Sequence, residues 1–354
     1  MLSNMIRPAG GLGALGRLAK YYPNDTDVVN RLAGFLKKAT FTQLGYGSPN
    51  HLAQALGLPP KETLRLLTLG AHEGVFELEW LPRCPYCNHF APSGHNHLKD
   101  FGLTGMLCGM CEMHFEVLAD QTLYLTYRPH PLVMHLPADV PVDEDFLNQW
   151  GATPAFQILQ LDEFRTYLAD LNLPPGESIA VREQTFWFTD LMGSTAMYEK
   201  LGDAGAYALV RKHYEILFST AEMYSGFAVK TIGDGTMGNF RQPVDALRAS
   251  IAAVRQVRVL AAESDHPVKV RLGLHCGPAL IVSLNGRLDF FGTTVNKAAR
   301  IEAQANGENV VMSAEFLQDP AVQALAAETG ALEPFSVALR GLAEPQPLYR
   351  LAVV

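Results

Sequence analysis

The 354-residue chain is short of charge, short of cysteine and without long apolar runs, and each shortage excludes something. Only 18% of its residues are charged while 48% are hydrophobic. A chain of that balance folds around cores, which excludes a disordered or low-complexity scaffold. No apolar run approaches the ~18 residues that a spanning helix needs, so no membrane span is expected. The opening stretch, Met1 to Tyr22, has neither a continuous apolar centre nor a convincing cleavage site. A secretory signal is therefore not expected, and a cytoplasmic location is. Cations are outnumbered, with 28 Lys and Arg against 36 Asp and Glu for a net charge of −8. Duplex nucleic acid is held chiefly by neutralising its phosphates, so no nucleic-acid partner is expected. The length suits two ordinary domains or three small ones.

Five cysteines are few, but four of them are crowded together. Cys84-Pro-Tyr-Cys87 and Cys108-Gly-Met-Cys111 are two CxxC knuckles separated by twenty residues. Each knuckle can point two sulfurs at one ion across a tight turn, and two knuckles close a tetrahedral S₄ shell. Soft thiolates select zinc or iron–sulfur chemistry, and zinc-ribbon spacing favours Zn²⁺. A closed shell leaves no position for substrate, so this zinc would be structural. The plainer alternative is four buried or redox-active thiols without metal. His89, His95, His97 and His114 lie nearby and read as loop or surface histidines. Cys276 stands alone far downstream.

The turn-rich connector Leu173-Pro-Pro-Gly-Glu-Ser178 marks the main boundary. Residues 1–180 carry eight of the eleven histidines and six of the eight excess negative charges. Within that half, Leu52, Ala53 and Leu56 mark one short helix, turned at Gly57 to Pro60. Leu64 and Leu67 mark a second, and Phe76, Leu78 and Trp80 alternate with Glu77 and Glu79 as a strand. Helix, turn, helix, strand is the outline of a winged helix. Its second helix, however, sets Lys61 and Arg65 beside Glu62 and Glu73, a poor DNA reader and equally a small packing or dimerisation module. Thr122 to Tyr127 reads as strand, and Leu161 to Leu171 as helix. The resulting division is a helical, winged-helix-like module over 1–80, a zinc-ribbon and β-rich region with linker over 81–178, and a third domain over 179–354.

The third domain holds the informative constellation. Thr185 to Asp190 is a β-rich apolar run ending in a carboxylate, and Leu191-Met-Gly-Ser-Thr195 opens a long helical pattern to about Tyr224. A helix start of this kind presents free backbone N–H groups to an anion. Phe227 to Phe240 reads as two strands flanking Gly233-Asp234-Gly235, a hairpin with a carboxylate at its tip. If Asp190 ends the neighbouring strand, the two carboxylates meet and can hold two divalent cations for phosphoryl transfer. Arg287 to Arg300 reads as strand, glycine turn and helix, with Asn296 and Arg300 four residues apart on one helical face. Arginine suits developing phosphate charge because it stays cationic and donates in a planar fork. His275 and Cys276 end an apolar strand and read as packing, with no partner triad legible.

These motifs together resemble the catalytic domain of class III nucleotide cyclases, the adenylate and guanylate cyclases. The resemblance covers about residues 183–352, through Phe188 to Thr195, Lys230 to Phe240, Asp289 to Arg300 and the closing Leu339 to Leu351. It implies an α+β sandwich with a ferredoxin-like βαββαβ order. It also implies that Asp190 and Asp234 hold two Mg²⁺ or Mn²⁺ ions, and that Lys230 and Asp289 read the base. Asn296 would position the ribose and Arg300 would counter phosphate charge. Arg340 falls where the family often has a lysine for the terminal phosphates. Leu191, Met192, Gly193 and Ser194 would cradle the triphosphate. Family sites are shared between two catalytic domains, so a homodimer is implied. The first half resembles an uncharacterised domain fused to bacterial cyclases and would be regulatory or architectural.

Adenine presents an N6 donor and an N1 acceptor, which suit Asp289 as acceptor and Lys230 as donor; guanine reverses that edge. ATP is therefore the expected substrate and 3′,5′-cyclic AMP with pyrophosphate the expected products. The alternatives are a guanylate cyclase and a catalytically weak nucleotide-binding adaptor.

Overall fold

The computed structural model describes residues 8–25, 27–101, 105–137, 139–168, 173–264, 268–284 and 287–353. It divides into two compact units, Met1–Val181 with Leu280–Asp289, and Arg182–Ala279 with Phe290–Val354. Among the described residues, no helix is long and apolar enough to cross a membrane.

The first unit opens with helices α1 (Pro8–Leu18), α2 (Asp27–Lys38), α3 (Phe41–Gly45), α4 (Pro49–Leu56) and α5 (Pro60–His72). Ser48 caps α4 by accepting from the His51 N–H, and prolines open both α4 and α5, where an absent N–H costs nothing. Strand β1 (Phe76–Pro82) follows, so the helix, turn, helix, strand order stands as read. Two short strands, β2 (Met106–Leu107) and β3 (His114–Phe115), pair with each other. Strand β4 (Leu123–Pro129) returns antiparallel along β1, matching Phe76 to Pro129 and Pro82 to Leu123. The cysteine segment is therefore an excursion between two paired strands. Helix α6 (Glu144–Trp150), strand β5 (Thr153–Pro154) on the far side of β4, and helices α7 (Phe156–Leu159) and α8 (Asp162–Tyr167) complete the unit.

Two readings change here. Alternation along β1 implies that Glu77 and Glu79 face water, yet Glu79 is only 5% exposed. Both faces of β1 are covered: Trp80 meets Phe164 edge-on from one, and Leu81 packs with Phe90 and Leu147 on the other. Burial pushes the Glu79 carboxyl up to about 7, against the pull of Arg128 at 3.4 Å. The helix expected over Leu161 to Leu171 is represented by α8, Asp162–Tyr167, and residues 169–172 lie outside the described residues.

The chain continues through strand β6 (Ser178–Met192), α9 (Ser194–Met223), β7 (Gly226–Ile232), β8 (Gly235–Phe240), α10 (Pro243–Ala262) and β9 (Lys269–Leu284). That is a βαββαβ order, and the four strands lie side by side as β9-β6-β8-β7, the ferredoxin-like arrangement. Strand β10 (Arg287–Phe291) pairs with β9, and helix α11 (Thr293–Glu302) leads to β11 (Asn309–Ser313), parallel to β9. Helix α12 (Pro320–Thr329) and strands β12 (Leu332–Val337) and β13 (Gln346–Ala352) extend the sheet edge. The α+β class is as expected. The core joins the inner faces of α9 and α10 to the sheet through Trp187, Leu217, Phe240, Leu247, Val254 and Leu272. Trp187 and Phe240 meet edge-on at 5.2 Å. Helix α9 kinks at Gly202, whose φ is 67°.

Candidate active site and thiol cluster

Strand register brings the two aspartates together. Strand β8 runs antiparallel to β6, with Thr189 opposite Thr236, so Asp190 reaches the tip of the β7–β8 hairpin where Asp234 sits. The approach is tight enough to demand glycine: a Cβ on Gly235 would stand 1.9 Å from the Thr189 carbonyl oxygen. Thr189 and Thr236 add a hydroxyl pair at 2.9 Å, and the Thr236 N–H donates to the Thr189 hydroxyl. The Asp190 carboxyl is held above its usual range, first by burial and further by the neighbouring Asp234, while Arg271 opposes both. The Asp234 Oδ2 is buried and has no partner among the described residues. Two adjacent carboxylates with an orphaned oxygen fit hard, oxygen-seeking Mg²⁺ or Mn²⁺.

Arg271 and Glu302 belong to this cluster and were not among the residues expected from the sequence. Arg271, on β9, donates to Asp190 through Nη2 and faces Glu302 Oε1 from Nε at 3.1 Å. Burial raises the Glu302 carboxyl to about 7, with Arg271 pulling the other way. The available signal was an arginine inside the apolar strand Val270 to Leu274, a placement that implies a partner. Tyr214, whose hydroxyl donates to the Gly233 carbonyl, was missed because it looks like any helical aromatic. Behind them His213 is fully buried, and burial lowers it to about 4, so it stays neutral.

The remaining expected residues fall in separate places. Lys230 is on β7 immediately after a register shift between Ala228 and Lys230, a bulge that re-aims the side chain. Asp289 lies on β10, half-buried, and is grouped with the first unit, whereas Lys230 is grouped with the second. Asn296 is exposed on α11. Arg300 is half-buried and turned toward the segment after Arg340: a Cβ on Gly341 would stand 3.3 Å from Arg300 Nη2. Leu191 and Met192 belong to β6 itself, leaving Gly193 (φ 79°) as the turn and Ser194 as the first residue of α9. The cradle therefore rests on one turn and a helix start, with the Leu191 side chain in the core. Among the described residues, no hydrogen bond or ion pair joins Asp190 or Asp234 to Asn296, Arg300 or Arg340.

The four cysteines converge as the spacing implies, with all four sulfurs within 4.8 Å of one another. The short separations run between knuckles: Cys84 to Cys111 and Cys87 to Cys108, each 3.6 Å. Tetrahedral zinc with Zn–S bonds of ~2.3 Å requires edges of about 3.8 Å, so the thiols fit the ion. The knuckles are built alike. The residue after each second cysteine, Asn88 or Glu112, is left-handed and donates its N–H to the first cysteine's carbonyl. The N–H groups of Cys84 and Cys108 donate in turn to the His89 and Met113 carbonyls. Backbone N–H groups from Cys111 and Met110 draw the Cys108 thiol down to about 6. Among the four nearby histidines, His89 and His114 are exposed, and His95 and His97 are half-buried.

Comparison with known proteins places this geometry. Residues 178–329 match the model of the adenylate and guanylate cyclase catalytic domain. This part of the chain is thus similar to the catalytic domains of the adenylate and guanylate cyclases, a lyase family. An adenylate cyclase of Lachancea kluyveri is 30% identical over 169 residues, which are 41% of this chain and 9% of that protein. A receptor-type adenylate cyclase of Trypanosoma equiperdum is 28% identical over 228 residues, 52% of this chain and 47% of that one. The chain thus spans less than half of either relative. Among solved structures, the adenylyl cyclase CyaB from P. aeruginosa aligns with a TM-score of 0.44 at 21% identity. That alignment covers 50% of this chain and 97% of CyaB.

Proposed function

We propose that the protein is an adenylate cyclase that converts ATP to 3′,5′-cyclic AMP and pyrophosphate at sites shared between two catalytic domains of a homodimer. The observation that carries this reading is the meeting of Asp190 and Asp234, braced by a glycine that cannot be replaced and faced by Arg271. Divalent cations held there would make the ribose 3′-hydroxyl more acidic and offset phosphate charge. The 3′-oxygen attacks the α-phosphorus, and the bond to the bridging oxygen of the β-phosphate breaks, so pyrophosphate carries away the electron pair. Arg300 offsets the charge that builds on the α-phosphate, and Asn296 orients the ribose so that its 3′-oxygen lies in line. Arg340 holds the terminal phosphates. The Gly193 turn, with the backbone of Leu191, Met192 and Ser194, receives the remaining phosphate oxygens.

Lys230 donates to adenine N1 and Asp289 accepts from N6, which favours ATP over GTP. Among the described residues no hydrogen bond or ion pair joins Asn296 or Arg300 to the aspartates, which suits a site completed by a second copy. So do the exposed apolar side chains Phe218, Met223, Ile232 and Phe291 on the catalytic domain, a surface suited to burial between copies. The region before residue 179 is read as regulatory or architectural, with a structural Zn²⁺ on Cys84, Cys87, Cys108 and Cys111. The location is read as cytoplasmic.

Purified protein incubated with ATP or GTP and Mn²⁺, with products identified by mass, tests the activity and the base choice. Cyclic AMP as the main product is expected, and cyclic GMP in excess would turn the reading to guanylate cyclase. Mixing Asp190→Ala with Asn296→Ala protein, each inactive alone, is expected to restore activity. Mixed dimers without activity would refute shared sites.

A further inference from the structure

The hairpin that carries Asp234 is gripped on both flanks. On one side Gly235 lies directly against the Thr189 carbonyl of β6. On the other, the Tyr214 hydroxyl of α9 donates to the carbonyl of Gly233, the residue immediately before Asp234. Gly233 has a φ of 63°, so the turn depends on a left-handed backbone that few residues hold unaided. Tyr214 is itself fixed. Its ring stacks on Phe218, one helical turn further along α9, with centroids 5.7 Å apart and planes within 4°. Asp234 lies close enough for its charge to act on the phenol.

We propose that Tyr214 is a positioning residue, whose hydroxyl sets the turn that aims the Asp234 carboxylate at the divalent cation shared with Asp190. This rests on the reading of the two aspartates as a metal-holding pair. Rotation of the Gly233 peptide by loss of its partner would swing Asp234 about a hairpin tip that has no side chain at either glycine to restrain it. Groups that orient ligands without touching the metal typically tune affinity or activity by about 10–100-fold.

The test is Mn²⁺ binding by the full chain, followed through the electron paramagnetic resonance signal of free Mn²⁺, beside cyclase rates over a Mn²⁺ series. Tyr214→Phe keeps the ring and removes one hydroxyl. It is expected to weaken Mn²⁺ binding roughly tenfold. Its rate should fall at limiting Mn²⁺ and recover at excess, with the KM for ATP unchanged at saturating metal, a recovery that general loss of structure would not give. Tyr207→Phe is the control: it removes an exposed hydroxyl from the same helix, close enough to interact with Tyr214, and should bind Mn²⁺ as the wild type does. Wild-type Mn²⁺ affinity in a folded Tyr214→Phe protein overturns the proposal. Should that variant lose its cooperative melt, Phe218→Leu loosens the ring and leaves the hydroxyl. Weaker binding there supports the proposal, and unchanged binding overturns it. If the wild type binds no Mn²⁺, or Asp234→Asn binds it equally well, the metal-pair reading itself fails and takes this one with it.

Discussion

The protein holds two clusters of like ligands, four thiols and two carboxylates, and they are built on opposite plans. The thiols come from two turns of identical construction, their backbone hydrogen bonds repeated residue for residue. All four face one point, which leaves nothing over. The carboxylates come from the end of one strand and the tip of a hairpin, and they are faced by Arg271, with one oxygen left without a hydrogen-bond partner among the described residues. A filled tetrahedral shell can only hold its ion. A pair of carboxylates leaves most of a cation's coordination open to water or a nucleotide. On the proposed reading, ligand count and symmetry separate a site that would fix structure from one that would do chemistry.

Three variants probe that contrast. The largest effect belongs to the open cluster: Asp190→Ala should take cyclase activity to background, and Arg300→Ala should lower kcat by roughly 10²–10³-fold. Steady-state rates with Mn²⁺ decide it, and substantial activity in Asp190→Ala would erase the distinction drawn here. A smaller effect on rate, and a larger one on stability, belongs to the closed cluster. Cys87→Ser should lose stoichiometric zinc by elemental analysis and lower the melting temperature of the first unit. The rate per folded catalytic domain should stay within about threefold of wild type. A drop in kcat as large as that of Arg300→Ala would make the thiol site catalytic.

The smallest effect concerns Glu79, a buried carboxyl of the first unit outside both clusters. Its pKa is raised from 4.5 to about 7 in the folded chain. Between those values the folded state binds the extra proton, so this group's stabilisation is full below about pH 4.5 and is lost as pH rises through about 7. Glu79→Gln keeps the shape and removes the titration. Its melting temperature should fall less than the wild type's between pH 5 and pH 8, a difference worth at most roughly 3 kcal/mol. Parallel pH profiles would show that Arg128 keeps Glu79 ionised throughout.

The catalytic domain was legible because its signals are local. The Gly233-Asp234-Gly235 turn, the apolar run into Asp190 and the α11 spacing of Asn296 to Arg300 each lie within a few residues, and each element formed as read. The knuckles were legible for the same reason. What escaped notice depends on contacts between distant segments. Arg271 and Glu302 are 31 positions apart and meet only because β9 lies beside α11. Glu79 alternates like a solvated strand residue, and its burial follows from the Gly94 segment and Arg128, which come from elsewhere in the chain to lie against it. Tyr214 is indistinguishable by composition from the other aromatic residues of α9 until its hydroxyl is seen on Gly233.

The contact of Gly235 with the Thr189 carbonyl has a consequence for how the sequence can drift. Position 235 admits one letter, because any side chain would occupy the space of a carbonyl oxygen 1.9 Å away. Lys230, five residues earlier on the same hairpin, is exposed and follows a bulge that already absorbs irregularity. With Lys230 reading the base as proposed, substitutions that retune that choice can accumulate along the hairpin's flank while its tip stays frozen. On that reading, descendants of this sequence have room to change which nucleotide they read without relearning how to hold the metal.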